Sequence, residues 1–127
     1  MDNGTILYYT WNNFEEDVPK IIAKLKACGE KFNGIYGISR GGLPLAVKLS
    51  NILDKPLVMG GVDEKTLVVD DVADTGSILI PQKERGAVIV TLFCKPWSKV
   101  TPNIYIRTTE SRIIFPWENS QFPIRPL

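Results

Sequence analysis

Three acidic side chains cluster at the end of one strongly apolar segment of the chain. The run of leucine and valine at 67–69 leads directly into Asp70 and Asp71, and Asp74 follows shortly afterwards. Carboxylates in this position can accept hydrogen bonds from a vicinal pair of hydroxyls, such as those of a ribose, and they can attract Mg²⁺. The spacing therefore predicts a site for a sugar, a divalent cation or both.

A turn rich in hydrogen-bond donors follows these acids. Gly76 lets the backbone bend so that several N–H groups point into one cavity, and a helix that begins behind them favours a phosphate. The hydroxyls of Thr75 and Ser77 add further donors. The turn is not a Walker A loop or a dinucleotide fingerprint, because the residues that define those motifs are missing. It predicts a sugar-phosphate site; the alternative is an acidic strand end that merely caps the next helix.

A second polar loop lies about thirty residues earlier in the chain. It consists of Ser39, Arg40, Gly41 and Gly42. The adjacent glycines allow a ligand to approach the backbone closely, and Arg40 supplies a permanent cation, so the loop fits a pyrophosphate. A plain strand-to-helix turn with a surface arginine is the alternative. The position of the loop ahead of the acidic segment favours its interpretation as an anion-binding site.

Alternating strands and helices must position these loops. The apolar pattern predicts strands at 6–10, 34–38, 57–59, 65–70, 87–94, 104–107 and 113–115. A first helix is expected to be capped by Asn12 or Asn13, or to begin only at Pro19, and further helices are expected from Leu43 and after Ser77. This alternation predicts an α/β fold, with a mostly parallel twisted sheet and helices on both faces. In such sheets ligands bind at the carboxyl ends of the strands, where both polar loops lie.

Length and composition bound the possible functions. The 127 residues suit one domain, and the net charge of +1 gives no case for a general nucleic-acid or membrane surface. The sequence contains no histidine, which excludes Ser-His and Cys-His catalysis and histidine-ligated metal sites. Cys28 and Cys94 are expected to be buried free thiols rather than a disulfide. No secretory signal or membrane-spanning stretch is visible, so we expect a cytoplasmic protein.

The acidic segment and its turn resemble the phosphoribosyl pyrophosphate motif of the type I phosphoribosyltransferases. The similarity extends from about Tyr8 to Glu118 and is closest to the xanthine-guanine branch of that family. The segments that support it are Tyr9-Thr-Trp11, Ser39-Arg-Gly-Gly-Leu43, Phe93-Cys-Lys-Pro96 and Arg112-Ile-Ile-Phe-Pro-Trp-Glu118. The resemblance implies the type I phosphoribosyltransferase fold in a single domain over 1–127, with a small hood segment around 104–127.

The resemblance also implies roles for individual residues. Asp70 and Asp71 would hold the ribose hydroxyls and Mg²⁺, and Asp74 would lie near the purine N7 as a general acid or base. The remaining assignments are the 5′-phosphate to Asp74, Thr75, Gly76 and Ser77, the pyrophosphate to Ser39, Arg40, Gly41 and Gly42, and the base to Lys95, Arg112 and Ile113. In the family the lysine donates to the purine 6-oxo group.

The implied function is transfer of the 5-phosphoribosyl group from phosphoribosyl pyrophosphate to a 6-oxopurine, which would be xanthine, guanine or hypoxanthine. Mg²⁺ would be the cofactor, and a homodimer or homotetramer would be usual. Two structural details are expected as well: a cis peptide bond between Ser39 and Arg40, and a buried packing role for Trp117.

Three features depart from the family pattern. The family carries a long flexible loop that closes over the substrates, but here only residues 60–64 join the two predicted strands, so we expect this lid to be absent. Ile78 replaces a phosphate-binding hydroxyl residue, and Arg112 replaces the aromatic residue that stacks on the purine. The missing lid leaves a second interpretation open, a non-catalytic or regulatory module that keeps the nucleotide site. The intact set of three acids favours the enzyme.

Overall fold

Parallel strands alternate with helices over residues 4–118, the part of the chain that the computed structural model describes. The strands are β1 (Ile6–Tyr8), β2 (Gly34–Gly37), β3 (Thr66–Ala73), β4 (Val88–Cys94) and β5 (Arg112–Ile114). The helices are α1 (Trp11–Cys28), α2 (Leu43–Leu53) and α3 (Ile80–Glu84), the last preceded by a 3₁₀ turn, Ser77–Leu79. The part of the predicted hood segment beyond residue 118 and the first three residues lie outside the described residues.

The central sheet is parallel and has β3 in its middle. Its strand order is β2-β3-β4, and Asp70 of β3 pairs with Thr91 of β4. Isolated bridges extend the sheet at Leu57, beside β2, and at Ile104 and Arg107, beside β4. β1 and β5 form a separate parallel pair. The predicted α/β architecture with a parallel sheet is therefore confirmed.

The structure corrects several predicted strand boundaries. The strands predicted at 57–59 and 104–107 are reduced to isolated bridges, one at Leu57 and two at Ile104 and Arg107. β3 runs beyond its predicted end at Asp70 as far as Ala73, because Val72 and Ala73 continue to pair with β4. Asp70 and Asp71 therefore belong to the strand itself rather than to a loop, and the sheet fixes their backbone.

Helix α1 begins at Trp11 because Thr10 caps it. The Thr10 hydroxyl accepts from the Asn13 N–H at 3.0 Å, and the Asn13 side chain accepts from the Thr10 N–H at 3.0 Å. The predicted cap at Asn12 or Asn13 is thus slightly late, and the alternative start at Pro19 is wrong, because Pro19 lies inside the helix. Cys28, the last residue of α1, is an exposed free thiol rather than the predicted buried one, whereas Cys94 is free and buried as predicted. No helix within residues 4–118 is long and apolar enough to cross a membrane.

Helices cover both faces of the central sheet because neighbouring residues of β3 point to opposite sides. Leu67 and Val69 pack in one apolar cluster with residues of α1 and α2. Val68 packs in a second cluster with Leu79 of the 3₁₀ turn that leads into α3. Packing on both faces holds β3 firmly, and the acids at its carboxyl end are positioned accordingly.

One buried charge joins α1 to the segment beside β4. Asp17 is fully buried and accepts hydrogen bonds from the Tyr9 hydroxyl at 2.6 Å and from Arg107 Nε at 2.7 Å. A second guanidinium nitrogen of Arg107 lies 3.1 Å from the other carboxylate oxygen, so the ion pair is bidentate. This network ties α1 to the chain that leads towards β5.

A short hydrogen-bonded connection stands where the resembling family has its long loop. The Asp63 carboxylate accepts from the Lys65 N–H at 2.8 Å, and the Thr66 N–H donates to the Asp63 carbonyl at 3.1 Å. Met59, which precedes this turn, is 95% exposed. The predicted absence of the lid is confirmed, because the connection is a compact turn with no length to spare for closure.

Candidate active site

Three adjoining pockets open at the carboxyl ends of β2, β3 and β4. The hood-side pocket (≈ 370 Å³) is lined by Asp71, Asp74, Lys95, Trp97, Arg112 and Ile113, among others. The loop pocket (≈ 610 Å³) includes Ser39, Arg40, Gly41, Asp70 and Asp71, and the turn pocket (≈ 130 Å³) includes Asp70, Asp74, Thr75, Gly76, Ser77 and Ile78. Each pair of pockets shares one of the three predicted acids. The acids therefore lie at the centre of one continuous site.

Asp70 and Asp71 dominate the electrostatics of this site. Asp70 accepts from the Asp71 N–H at 2.8 Å, and Asp71 accepts from the Val72 N–H at 2.8 Å. Burial, together with the neighbouring charge of Asp71, raises the pKa of Asp70 to about 8. Burial also raises the pKa of Asp71. Neither carboxylate has a salt-bridge partner within residues 4–118, so the pair is suited to a cation or a hydroxyl-bearing ligand.

The pH dependence of stability should reveal this acid pair. Asp70 titrates at about 8 in the folded protein and near 3.8 in the unfolded chain, so the folded state binds more protons between these values. Stability should therefore fall as the pH rises through this window, by roughly 1 kcal/mol per pH unit at most. Asp70→Asn cannot lose this proton and should show a flatter slope. Urea unfolding of both proteins at about pH 5 and about pH 8 measures the slopes, and equal slopes would contradict the buried pair.

The loop at residues 39–42 lies against the acidic end of β3. Its Ser39–Arg40 peptide bond is cis, as the resemblance predicts. A Cβ at Gly42 would lie 2.9 Å from the Asp70 Cα and 2.9 Å from the Ile38 carbonyl oxygen, so only glycine lets the loop come this close. Gly42 thus packs on β3 and does not line the loop pocket, whereas Arg40 does.

Gly42→Ala should lower the free energy of unfolding by roughly 3 kcal/mol. The atoms in the way of the new methyl group belong to the backbone and cannot turn aside. Gly60→Ala is the matched control, because a Cβ at Gly60 meets no atom within 4 Å. Urea unfolding compares the two variants. If they proved equally stable, the close packing of the loop on β3 would be wrong.

The turn after β3 forms the smallest of the three pockets. Gly76 has a φ of 86°, which favours glycine, and a Cβ there would lie 2.7 Å from the Val100 nitrogen. The backbone N–H groups of Thr75 and Gly76 have no acceptor within the described part of the chain, and the Ser77 hydroxyl lies 3.2 Å from that of Thr75. The helix predicted behind this turn is only the 3₁₀ turn and the five residues of α3. A phosphate would therefore rest on loop amides and hydroxyls rather than on a long helix.

The predicted base-contacting residues meet in the hood-side pocket. Lys95 is buried, and its ammonium donates to the backbone carbonyl of Ser111. Arg112 is exposed at the start of β5, and Ile113 beside it is partly buried. This pocket therefore has one buried cation in its wall and an exposed guanidinium at its edge.

Two tryptophans lie at the site, and the contact made by Trp97 goes beyond what the sequence predicts. The Trp97 indole Nε1 donates to Asp74 Oδ1 at 2.9 Å. An aromatic residue directly after the predicted lysine and proline is the sequence signal that could have identified it. Trp117 packs as predicted: its ring is stacked on that of Phe115, with the two ring centres 5.0 Å apart. Its buried indole N–H has no well-aligned acceptor within the described residues. The same N–H lies near Asp71 and acts to lower the pKa of that carboxyl, against the larger effect of burial.

Comparison with known proteins places this site in a family. No protein-family model matches the chain. The structure of a purine phosphoribosyltransferase from Pyrococcus horikoshii Ot3 is 34% identical, with a TM-score of 0.79 over 96% of this chain and 98% of that one. The xanthine-guanine phosphoribosyltransferase of Gluconobacter oxydans is 26% identical over 147 residues, which cover 93% of this chain and 88% of that protein. A Helicobacter pylori xanthine-guanine-hypoxanthine phosphoribosyltransferase, 18% identical, shares the fold with a TM-score of 0.78 over 89% and 92% of the two chains.

The chain belongs to the type I phosphoribosyltransferase family, and it is a phosphoribosyltransferase enzyme. The non-catalytic module that the missing lid left open is therefore not retained. The alignment with the Gluconobacter oxydans protein is longer than the 127 residues of this chain. That relative thus contains segments with no counterpart here, in keeping with the short connection before β3.

Proposed function

We propose that this enzyme transfers the 5-phosphoribosyl group from phosphoribosyl pyrophosphate to N9 of a 6-oxopurine. The observation that carries the proposal is the continuous site, in which the acid pair, the donor-rich turn and Lys95 face adjoining pockets. Similarity to proteins named purine and xanthine-guanine phosphoribosyltransferases supports a purine as the acceptor.

The turn pocket and the loop pocket divide the donor between them, and the hood-side pocket is left for the base. The turn pocket would take the 5′-phosphate on the amides of Thr75 and Gly76. Asp70 and Asp71, which lie between the pockets, would accept from the ribose hydroxyls. The loop pocket would take the pyrophosphate beside Arg40, whose guanidinium suits two adjacent phosphates. The 5′-phosphate, the ribose and the pyrophosphate follow one another in the same order along the donor molecule.

The reaction then needs one proton acceptor at the base. As the bond from the ribose C1 to the pyrophosphate oxygen breaks, its electron pair leaves with pyrophosphate, and N9 of the purine forms the new bond to C1. Once N9 is bonded to C1, the five-membered ring of the purine carries a positive charge until N7 loses its proton. Asp74 lies in the wall shared by the hood-side and turn pockets and would accept this proton before passing it to solvent.

Mg²⁺ fits the acid pair. Proteins hold Mg²⁺ with one or two carboxylates and leave the other positions to substrate phosphates and water. Asp70 and Asp71 supply two adjacent carboxylates, whereas no group of three or more metal-binding side chains occurs among residues 4–118. The ion would therefore bind with the donor rather than alone. When bound, it would neutralise charge on the leaving pyrophosphate.

Lys95 supports a 6-oxopurine as the acceptor. An ammonium group donates hydrogen bonds but cannot accept them, so it matches a 6-oxo group and not a 6-amino group. The hydrogen bond to the Ser111 carbonyl and the surrounding burial hold the ammonium in place. A fixed donor discriminates between these groups more strongly than a mobile one, since the wrong base would leave it unpaired.

A panel of bases tests the proposal. Guanine, hypoxanthine, xanthine and adenine are each supplied with the donor and Mg²⁺, and nucleotide formation is followed by chromatography. We expect kcat/KM for the best 6-oxopurine to exceed that for adenine by at least about tenfold, and Lys95→Met to remove most of this preference. If adenine were the better substrate, the assignment of Lys95 would be wrong.

A further inference from the structure

Trp97 touches both groups that would face the base. Its indole Nε1 donates to Asp74 Oδ1 at 2.9 Å, and the Lys95 ammonium nitrogen lies 5.2 Å from the centre of its ring. The second contact is a cation–π interaction, in which the ring face attracts the ammonium. One side chain therefore connects the proposed proton acceptor with the proposed reader of the 6-oxo group.

The backbone around Trp97 is fixed to the phosphate turn. The Lys99 N–H donates to the Thr75 carbonyl at 2.9 Å, and the Ser98 N–H donates to the Lys95 carbonyl at 3.1 Å. These bonds close a turn directly after β4 and fasten it to the neighbouring loop. Trp97 is 37% exposed and lines the hood-side pocket from this support.

Asp74 needs such an anchor. It is exposed and lies in the turn after β3, where an unsupported carboxylate can adopt several rotamers. The indole N–H can only donate, and it engages Oδ1. The second oxygen, Oδ2, is then left to take the proton of the base.

We infer that Trp97 is a positioning residue: its N–H orients the Asp74 carboxylate towards the base proton, and its ring steadies the Lys95 ammonium at the pocket wall. This role rests on the proposed function, because it concerns the same reaction. Trp97 acts through these two residues, so its removal should affect turnover more than donor binding.

The test compares two substitutions of the same kind. Trp97→Phe keeps an aromatic face and removes the N–H, so kcat should fall by roughly tenfold or more with the donor KM unchanged. Trp11→Phe is the matched control, because Trp11 is 52% exposed on α1 and lines none of the three site pockets. Its kinetics should match wild type. Equal kcat for the two variants, or a parallel loss of kcat and donor affinity in Trp97→Phe, would overturn the inference.

A spectroscopic measurement separates this inference from the proposed function. The chain has three tryptophans, and the indole N–H resonance missing in Trp97→Phe identifies that of Trp97. Asp74→Asn should move this resonance, because the indole N–H then donates to a neutral amide oxygen rather than to a carboxylate. A resonance indifferent to Asp74→Asn would overturn the inference. If wild type formed no nucleotide, the proposed function would fail, while the resonance would still show whether Trp97 holds Asp74.

Discussion

Asp74→Asn should lower kcat by about 10²-fold or more and leave the affinity for the donor close to that of wild type. The substituted side chain keeps an oxygen that can accept from the Trp97 indole, so the local geometry should persist. What it loses is the capacity to take a proton from the base. Steady-state kinetics with guanine, together with equilibrium binding of the donor without a base, measure the two quantities separately.

A matched control for this substitution lies at the end of α2. Asp54 has a φ of 52°, a conformation that asparagine tolerates well, and it lines none of the three site pockets. Asp54→Asn makes the same chemical change and should leave both kcat and donor affinity unchanged. If Asp74→Asn lost binding and turnover equally, Asp74 would be a structural cap rather than a proton acceptor.

Asp17→Ala should lower the free energy of unfolding by about 3 kcal/mol. The Tyr9 hydroxyl is buried and would lose its acceptor, and Arg107 would lose both of its bonds to the carboxylate. The side chain of Arg107 is 34% exposed, so it can regain water and limit the loss. Urea unfolding at neutral pH measures the change.

Lys20→Ala provides the comparison for this buried network. Lys20 also lies near Asp17, at 3.9 Å, but its side chain is 61% exposed, so its loss should change stability by less than about 0.5 kcal/mol. Asp17→Ala should also be less damaging in a Tyr9→Phe background, because no buried hydroxyl is then left unpaired. A loss no larger than that of Lys20→Ala would show that the network does not hold α1 in place.

The loops of the site could be predicted from sequence because their chemistry is local. Two features can be recognised within about ten residues of sequence: the apolar strand that leads into Asp70 and Asp71, and the turn that needs glycine at position 76. The same holds for the loop at 39–42, whose second glycine packs on β3. The observed site agrees with these sequence predictions because parallel strands bring such loops to one edge of the sheet.

Contacts between distant segments could not be predicted in this way. Asp17 meets Arg107 across ninety positions of sequence, and Trp97 reaches Asp74 from the end of a different strand. The extension of β3 to Ala73 depends on pairing with β4, which no local pattern encodes. The predicted strands at 57–59 and 104–107 were wrong for the same reason, since the neighbouring strands pair with them only at isolated bridges.

The short connection before β3 leaves the site open. Asp63 organises a tight turn there, and no residue from Met59 to Lys65 lines the three site pockets. Water screens the charge that develops during transfer and can compete with the base as a nucleophile. We therefore expect slow transfer relative to relatives that have a lid, with hydrolysis of the donor as a side reaction. A neighbouring subunit that covered the site would suppress the hydrolysis at high protein concentration.

Donor labelled in its ribose tests phosphoribosyl transfer from this open site most directly. The protein is incubated with the labelled donor, Mg²⁺ and guanine or hypoxanthine over a range of protein concentrations, and labelled nucleotide is counted against free ribose phosphate. We predict nucleotide that forms only when the base is present, accompanied by measurable ribose phosphate. No labelled nucleotide with either base would contradict the proposed transfer, and fast transfer without hydrolysis at every concentration would contradict the part assigned to the missing lid.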